Sequence, residues 1–361
     1  MNMMLLFVLL PVFIIPWVTK LIWPHTVSWI EIGSAFGVGA MLTLLVYFCG
    51  MVSQTHDVEI LNGQVTSKSR DKVSCRHSYQ CHCHYVESCS GSGKSRSCSS
   101  HQECDTCYEH SYDVDWNVHS SVDNWSISHI DRQGLDEPPR WTQVQIGEPV
   151  STTHSFTNYV KAVPESLFHA NLTNKFDTMI PAYPDGIYDY YKLNRAIAVG
   201  VPVPDISQWN SDISDILRTL GPSKQANIIV IFVNTSDESY LHALEGKWIG
   251  GKKNDIIVVL GVTKYPKIDF VAISSWTDAQ LFKVQLRDDI TAVGTVDRVK
   301  IIQAIQTNTA KTFQRKHMKD FEYLKSQIEP PTWVLILAVL LGIVASVLTT
   351  YFVHRNMNGR Y

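Results

Sequence analysis

Three stretches of about 20 residues without a charged side chain constrain the fold of this chain most strongly. They run from Met1 to Thr19, from Ile32 to Ser53 and from Thr332 to Val353. At a rise of about 1.5 Å per residue, a helix of this length crosses the ~30 Å hydrocarbon core of a bilayer. The sequence therefore predicts an integral membrane protein with three spanning helices, the first two of which form a hairpin.

The first stretch has a second interpretation as a cleaved signal peptide. It has no basic residue at its start and no small-x-small cleavage site, and another apolar stretch follows it closely. We therefore expect a retained helix rather than a leader.

Basic residues near the apolar stretches bear on which side residues 54–330 occupy, because short cytoplasmic segments are enriched in Lys and Arg. Lys20 in the link and Arg355 and Arg360 in the tail place those segments in the cytoplasm. The large domain is then outside, on the periplasmic side. Basic residues on the domain side favour the reverse orientation, which stays open: Lys68, Arg70, Lys72, Lys316, Lys319 and Lys325.

Small residues four apart in the apolar stretches predict close contacts between helices. Gly33 and Gly37 form one such pair, and Gly342 and Ser346 form another. These pairs suit a homo-oligomer formed through membrane helices. The simpler alternative is that small residues are common in membrane helices in any case.

A dense run of cysteine and histidine is the main chemical feature of the soluble part. Seven cysteines and five histidines lie between Cys75 and His110. Paired thiols and a nearby imidazole can hold a Zn²⁺ ion at ~2.3 Å from each sulfur, as in a zinc ribbon. The predicted ligands are Cys75, Cys81, Cys83, Cys104, Cys107 and His110.

Disulfides are the competing interpretation of the same cysteines. They are favoured if the domain faces an oxidising compartment. The odd number of soluble cysteines and the interspersed histidines favour a metal, since disulfides make no use of imidazole. Zinc, disulfides and a mixture of the two therefore remain open, and any zinc is expected to be structural rather than catalytic.

Patterning predicts an α+β fold for the soluble region. Residues 56–73 suggest a β-hairpin turning at Asn62-Gly63, and the segments YDVDWNV, NWSISHI and RWTQVQI suggest strands. Short helices are expected at 160–172 and 209–220, followed by a strand, helix, strand, strand, helix, helix series. The predicted units are 1–53 (two membrane helices), 54–150 (Cys/His-rich β module), 151–226 (mixed connection), 227–330 (α/β unit), 331–353 (membrane helix) and 354–361 (basic tail).

The stretch from Asn227 to Ile290 resembles the TPM domain family. The resemblance is carried by WIGGKKNDIIVVLGV followed by FVAISSWTDAQ, with Ile256 standing where the family usually has glycine. It implies a membrane-tethered α/β domain. The whole layout, including IDRQGLDEPPRW, also resembles uncharacterised membrane proteins of tailed bacteriophages.

Carboxylates at the strand ends of the TPM-like unit are candidate calcium ligands. Asp237, Asp255 and Asp278 could converge on one edge of the sheet, where hard oxygen ligands suit Ca²⁺. Some TPM domains are described as phosphatases, so the resemblance implies a calcium-dependent phosphatase as one function. The alternative is structural, because Asp278 suits the first turn of a helix and Asp255 suits a turn.

Other sites are discounted. Gly93-Lys94-Ser95 imitates a phosphate-binding loop, but no strand precedes it and the first glycine is missing. A net charge of −3 gives no reason to expect nucleic-acid binding, which a zinc ribbon would otherwise suggest. We therefore predict a membrane-anchored, non-enzymatic protein that contacts the lipid bilayer and an unknown protein partner, with the phosphatase as the alternative.

Overall fold

The computed structural model describes residues 3–24, 26–90, 97–163, 174–188 and 192–358. Its helices are α1 (Met3–Ile22), α2 (Trp29–Thr55), α3 (Pro139–Gln143), α4 (Tyr159–Ala162), α5 (Ile206–Lys224), α6 (Tyr240–Trp248), α7 (Gln280–Val293), α8 (Arg298–Thr312) and α9 (Thr332–Asn358), with 3₁₀ turns at Asn174–Phe176 and Met318–Gln327. Its strands are β1 (His56–Val73), β2 (Ser78–Ser90), β3 (Ser97–Tyr108), β4 (Asp113–Ser120), β5 (Asn124–Ile127), β6 (Pro149–Thr157), β7 (Ala196–Val199), β8 (Asn227–Val233), β9 (Asp255–Gly261) and β10 (Phe270–Ser275).

The α+β fold class is confirmed, and α1, α2 and α9 are long and apolar enough to cross a membrane. Helices α2 and α9 pack closely through small residues. A Cβ added to Gly39 or Gly342 would overlap the side chain of Ser346 or Thr43. The Gly342–Ser346 pair is therefore used within this chain. Around Gly33 and Gly37, by contrast, an added Cβ would have nothing within 4 Å.

Strand β1 is continuous over 18 residues, so the prediction of a hairpin turning at Asn62-Gly63 was wrong. Its first half pairs antiparallel with β6 and its second half with β4, and the partners change at a register shift beside Val65. Asn62 is buried and bonded to the α/β unit, and a Cβ on Gly63 would overlap Ser121. Asn62 and Gly63 therefore allow close packing of β1 against its neighbours and do not form a turn.

The predicted strand RWTQVQI was also wrong, because residues 139–143 form α3. Pro139 occupies the first turn, where its missing N–H costs nothing. The Trp141 ring then packs edge-on against Trp116, 4.8 Å between centroids. The helix predicted at 160–172 is found only as α4, and residues 164–173 lie outside the described part. The helix predicted at 209–220 falls within α5.

The α/β unit is a sheet with strand order β10-β9-β8-β7, covered by helices on both faces. Strands β7, β8 and β9 are parallel and β10 is antiparallel. Alternate side chains of β8 enter different cores: Ile228 and Val230 face α5, α7 and α8, whereas Ile229 and Ile231 face α6. Because both faces are covered, β8 and β9 are apolar runs without polar alternation.

Two elements extend across the predicted unit boundaries. Strand β6 runs past residue 150 because it pairs with β1. Strand β7 and helix α5 lie before residue 227, yet they belong to the α/β sheet and its core. The predicted series from residue 227 onward corresponds to β8, α6, β9, β10, α7 and α8.

Candidate functional site

Strands β2 and β3 form a separate two-stranded ribbon, which we call the cysteine ribbon (residues 78–90 and 97–108). Three disulfides cross it, joining Cys81 to Cys107, Cys83 to Cys104 and Cys89 to Cys98. The disulfide alternative is therefore favoured for four of the five cysteines proposed as zinc ligands, because their thiolates are not available to a metal. Cys75 alone of those five is a free thiol.

The cysteine ribbon depends on its disulfides because it has no core of its own. No residue in the described ranges 78–89 and 98–108 is buried. An isolated hairpin is marginally stable in water at best. The cross-links close sequence separations of 26, 21 and 9 residues. Taken singly, each such loop closure is worth about 3 kcal/mol.

The ribbon surface combines aromatic rings with histidine–carboxylate pairs. The side chains of Tyr79, Tyr85 and Tyr108 are more than half exposed. His101 Nε2 lies 2.9 Å from Glu103 Oε1, and His82 Nδ1 lies 3.5 Å from Asp105 Oδ2. Exposed tyrosines held on a cross-linked backbone are suited to protein recognition, since little side-chain or backbone freedom is lost on binding.

At the root of the ribbon, Cys75, His110 and Asp113 come together. Cys75 Sγ lies 3.7 Å from His110 Nδ1, and that nitrogen lies 3.4 Å from Asp113 Oδ1. Cys75 and Asp113 are buried. The Arg76 N–H donates to Asp113 Oδ2 at 2.8 Å and holds the pKa of that carboxyl below its usual value, although burial opposes it.

The three predicted calcium ligands do not converge. Asp255 begins β9, whereas Asp237 follows the end of β8, which is parallel to β9. Seven residues of strand separate those ends, roughly 20 Å. Asp278 follows β10 and lies toward the Asp255 end, where it faces Lys316 at 3.5 Å. Parallel pairing therefore places Asp255 and Asp237 at opposite ends of the strands. Calcium binding stays a prediction.

Asp255 is a buried structural group. Its carboxylate accepts hydrogen bonds from Asn227 Nδ2 at 2.9 Å, from the Tyr183 hydroxyl at 3.0 Å and from the Lys252 N–H at 2.7 Å. Burial raises the pKa of Asp255 to about 6, against the lowering effect of these donors. Burial and the adjacent carboxylate also raise the pKa of Tyr183 well above 10. Asp237, in contrast, is paired with Lys175 at 2.5 Å.

A buried polar joint that the sequence analysis missed connects β1 and β6 to the α/β unit. Arg195 is 2% exposed and donates to Asn62, Ser151 and Asn227. Burial lowers the pKa of Arg195 to about 10. Asn62 also donates to the Ala226 carbonyl at 3.0 Å. The guanidinium of Arg195 donates its hydrogen bonds to groups of the protein itself. We therefore interpret Arg195 as a structural residue of this joint and not as a ligand-binding residue.

Two carboxylates of β1 reinforce this joint. Glu59, 1% exposed, pairs with Arg315 and with Lys253 at 3.1 Å. Asp57 pairs with Lys252 at 2.5 Å. Sequence alone gave no signal for these pairs, because their partners are about 200 residues or more away along the chain.

An ionisable pair also lies between the apolar helices. Glu31 in α2 is 2% exposed, and its Oε1 lies 3.3 Å from His354 Nδ1 in α9. The pair fixes the two helices at the end away from the large domain. Gly93-Lys94-Ser95, discounted as a phosphate site, and Arg360 of the tail lie outside the described residues.

Comparison of the chain with models of protein families, with curated proteins and with solved structures found no match.

Proposed function

We propose that this chain is a membrane-anchored, non-enzymatic protein that presents the cysteine ribbon to a protein partner. The observation that carries the proposal is a cross-linked ribbon with exposed tyrosines and no buried residue in its described ranges. Such a ribbon adds nothing to the core of the molecule. Three disulfides instead make it a rigid surface, which lowers the entropic cost of binding.

The position of the ribbon supports this function. Strand β1 begins at the residue after α2 ends, and its last residue pairs with Asp113 beside the ribbon root. Its 18 residues span up to roughly 55 Å at ~3.3 Å each. One strand thus connects the apolar anchor to the ribbon.

The proposal includes an oxidising compartment for the large domain, outside the cytoplasm. It is supported by the three disulfides, which persist in such compartments, and by Lys20 and Arg355 on the opposite side of the apolar helices. Two reporters fused after Tyr361 test the orientation, one that is active only in the cytoplasm and one that is active only outside it. We expect activity from the first and none from the second. The reverse result would contradict the orientation.

A photo-crosslinking side chain at position 85 tests the interaction. Tyr85 is 75% exposed on the ribbon, and Tyr323, 68% exposed elsewhere on the domain, provides the matched control position. In membranes of the native host, we expect a discrete adduct from position 85 that disappears after prior reduction. No adduct from position 85, or the same adduct from position 323, would contradict ribbon-mediated binding.

The resemblance of residues 227–330 to TPM domains stays a proposal that rests on the sequence motifs alone. The phage origin stays a proposal on the sequence alone. A calcium-dependent phosphatase gains no support from the separated aspartates. A homo-oligomer could use the face carrying Gly33 and Gly37, since Gly342 and Ser346 already pack inside the chain. Zinc is not proposed for the disulfide-bonded cysteines.

A further inference from the structure

We infer that Cys75, His110 and Asp113 form a single Zn²⁺ site at the root of the cysteine ribbon. The three residues come from the segment before β2, the turn after β3 and the first position of β4. One thiol, one imidazole and one carboxylate are the ligand types that zinc accepts. An ion there would fasten both ends of the ribbon to β4, which lies in a four-stranded sheet of order β5-β4-β1-β6.

The distances fit one metal ion. With Zn–S of ~2.3 Å and Zn–N or Zn–O of ~2.0 Å, tetrahedral ligands lie roughly 3.5 Å apart for S and N and roughly 3.3 Å apart for N and O. The corresponding separations here are 3.7 Å for Cys75 Sγ to His110 Nδ1 and 3.4 Å for His110 Nδ1 to Asp113 Oδ1. All three ligand atoms lie within 4.8 Å of one another.

A buried carboxylate oxygen that faces both other groups is a further observation. Asp113 is 1% exposed, and its Oδ1 lies beside the Cys75 thiol and the His110 ring, with no well-aligned donor in the part of the chain that the structure describes. Its other oxygen is fixed by the Arg76 N–H. Poorly aligned donors satisfy a buried acceptor only weakly, and a cation bound between Oδ1, Sγ and Nδ1 would pair all three atoms.

The free state of Cys75 fits the same site. Six neighbouring cysteines are in disulfides, whereas Cys75 is buried and unpaired with another sulfur. A thiolate bound to zinc has no need of a disulfide partner. His110 keeps 25% of its side chain exposed, which leaves solvent access for water as a fourth ligand. Zinc at the root is independent of whether the ribbon binds a partner.

The test uses full-length protein in detergent, purified without reductant so that the six ribbon cysteines stay oxidised. After loading with Zn²⁺ and dialysis, we expect one zinc per chain by elemental analysis. Cys75→Ser and Asp113→Asn should each lower the zinc content at least tenfold. Cys49→Ser is the matched control, because it removes the other free thiol, in α2, and should leave zinc unchanged.

A measurement on the unaltered chain keeps the test decisive if a variant misfolds. Co²⁺ should give a thiolate-to-metal charge-transfer absorption that excess Zn²⁺ abolishes, with all six ribbon cysteines still resistant to alkylation. Absence of that absorption, wild-type zinc well below one per chain, or unchanged zinc in correctly oxidised Cys75→Ser would overturn the assignment.

Discussion

Replacing Gly221 with alanine tests the joint between β1 and the α/β unit, because two effects predict opposite signs. Gly221 lies within α5, where glycine is about 1 kcal/mol less favourable than alanine. Helix propensity alone therefore predicts stabilisation. In the structure, however, a Cβ at this position would overlap the Asn62 carbonyl oxygen and lie 2.6 Å from its carbon.

We expect the steric overlap with Asn62 to outweigh the gain in helix propensity, so that Gly221→Ala is destabilising. Overpacking against backbone costs about 1–3 kcal/mol. Pushing β1 away also weakens the buried hydrogen bonds of Asn62 to Ala226 and Asn227, at about 1–3 kcal/mol for groups left unsatisfied. After subtracting the propensity gain, we expect a net loss of about 3 kcal/mol. For a soluble region of this size, the melting temperature should fall by roughly 6–12 °C.

Thermal unfolding of the full-length protein in detergent, followed by tryptophan fluorescence, measures the change. Pro222 requires a control, because a residue with a Cβ before proline is disfavoured in a helix. Gly221→Ala should therefore also be compared within a Pro222→Ala background. Gly186→Ala, where an added Cβ meets nothing within 4 Å, should have little effect. A melting temperature that is unchanged or raised in both backgrounds would refute the contact.

Three further outcomes are expected. Burial raises the pKa of Asp255 from 3.8 to about 6. The contribution of Asp255 to the free energy of unfolding is therefore fully present below pH 3.8 and is lost as the pH rises through 6. The free energy of unfolding of Asp255→Asn should therefore rise by roughly 2.4 kcal/mol relative to that of the wild type between pH 4 and 7 in denaturant unfolding, and a difference that does not change with pH would argue against the shift. Glu59→Gln should cost about 3 kcal/mol by leaving buried cations unpaired, whereas the exposed Glu322→Gln should change little in the same assay. Reducing the disulfides should speed amide hydrogen exchange in β2 and β3 while β8 and β9 stay protected, and general loss of protection would contradict a separate ribbon.

Sequence patterns predicted correctly the elements whose conformation depends on residues close together along the chain. The apolar helices and the β8–α6–β9–β10–α7 series follow from runs and periods that lie within each element. Asn62-Gly63 and RWTQVQI were misread because partners far along the chain decide their conformation. Pairing with β6 and the hydrogen bond to the Ala226 carbonyl keep Asn62 in an extended conformation. The ring of Trp141 packs against the ring of Trp116.

Sequence spacing left zinc and disulfides open for a physical reason. Both require thiols within a few ångströms, and only the register of β2 against β3 shows which sulfurs meet. Cys89 lies directly opposite Cys98, and the irregularity beside Cys81 brings Cys83 to Cys104. Asp113 escaped notice as a ligand because it is the first residue of a strand, although it follows His110 by only three positions.

The chemistry of β1 explains how the ribbon can be held in one position relative to the anchor. The buried residues of its first half include Asp57, Glu59 and Asn62 as well as apolar side chains, and Asp57 and Glu59 share one face of the strand. A one-residue slip would turn both carboxylates to the opposite face, together with the apolar side chains, and leave Lys253 and Arg315 unpaired. Breaking buried pairs in this way costs several kcal/mol. Polar burial therefore fixes the register of the strand that connects α2 to the ribbon root.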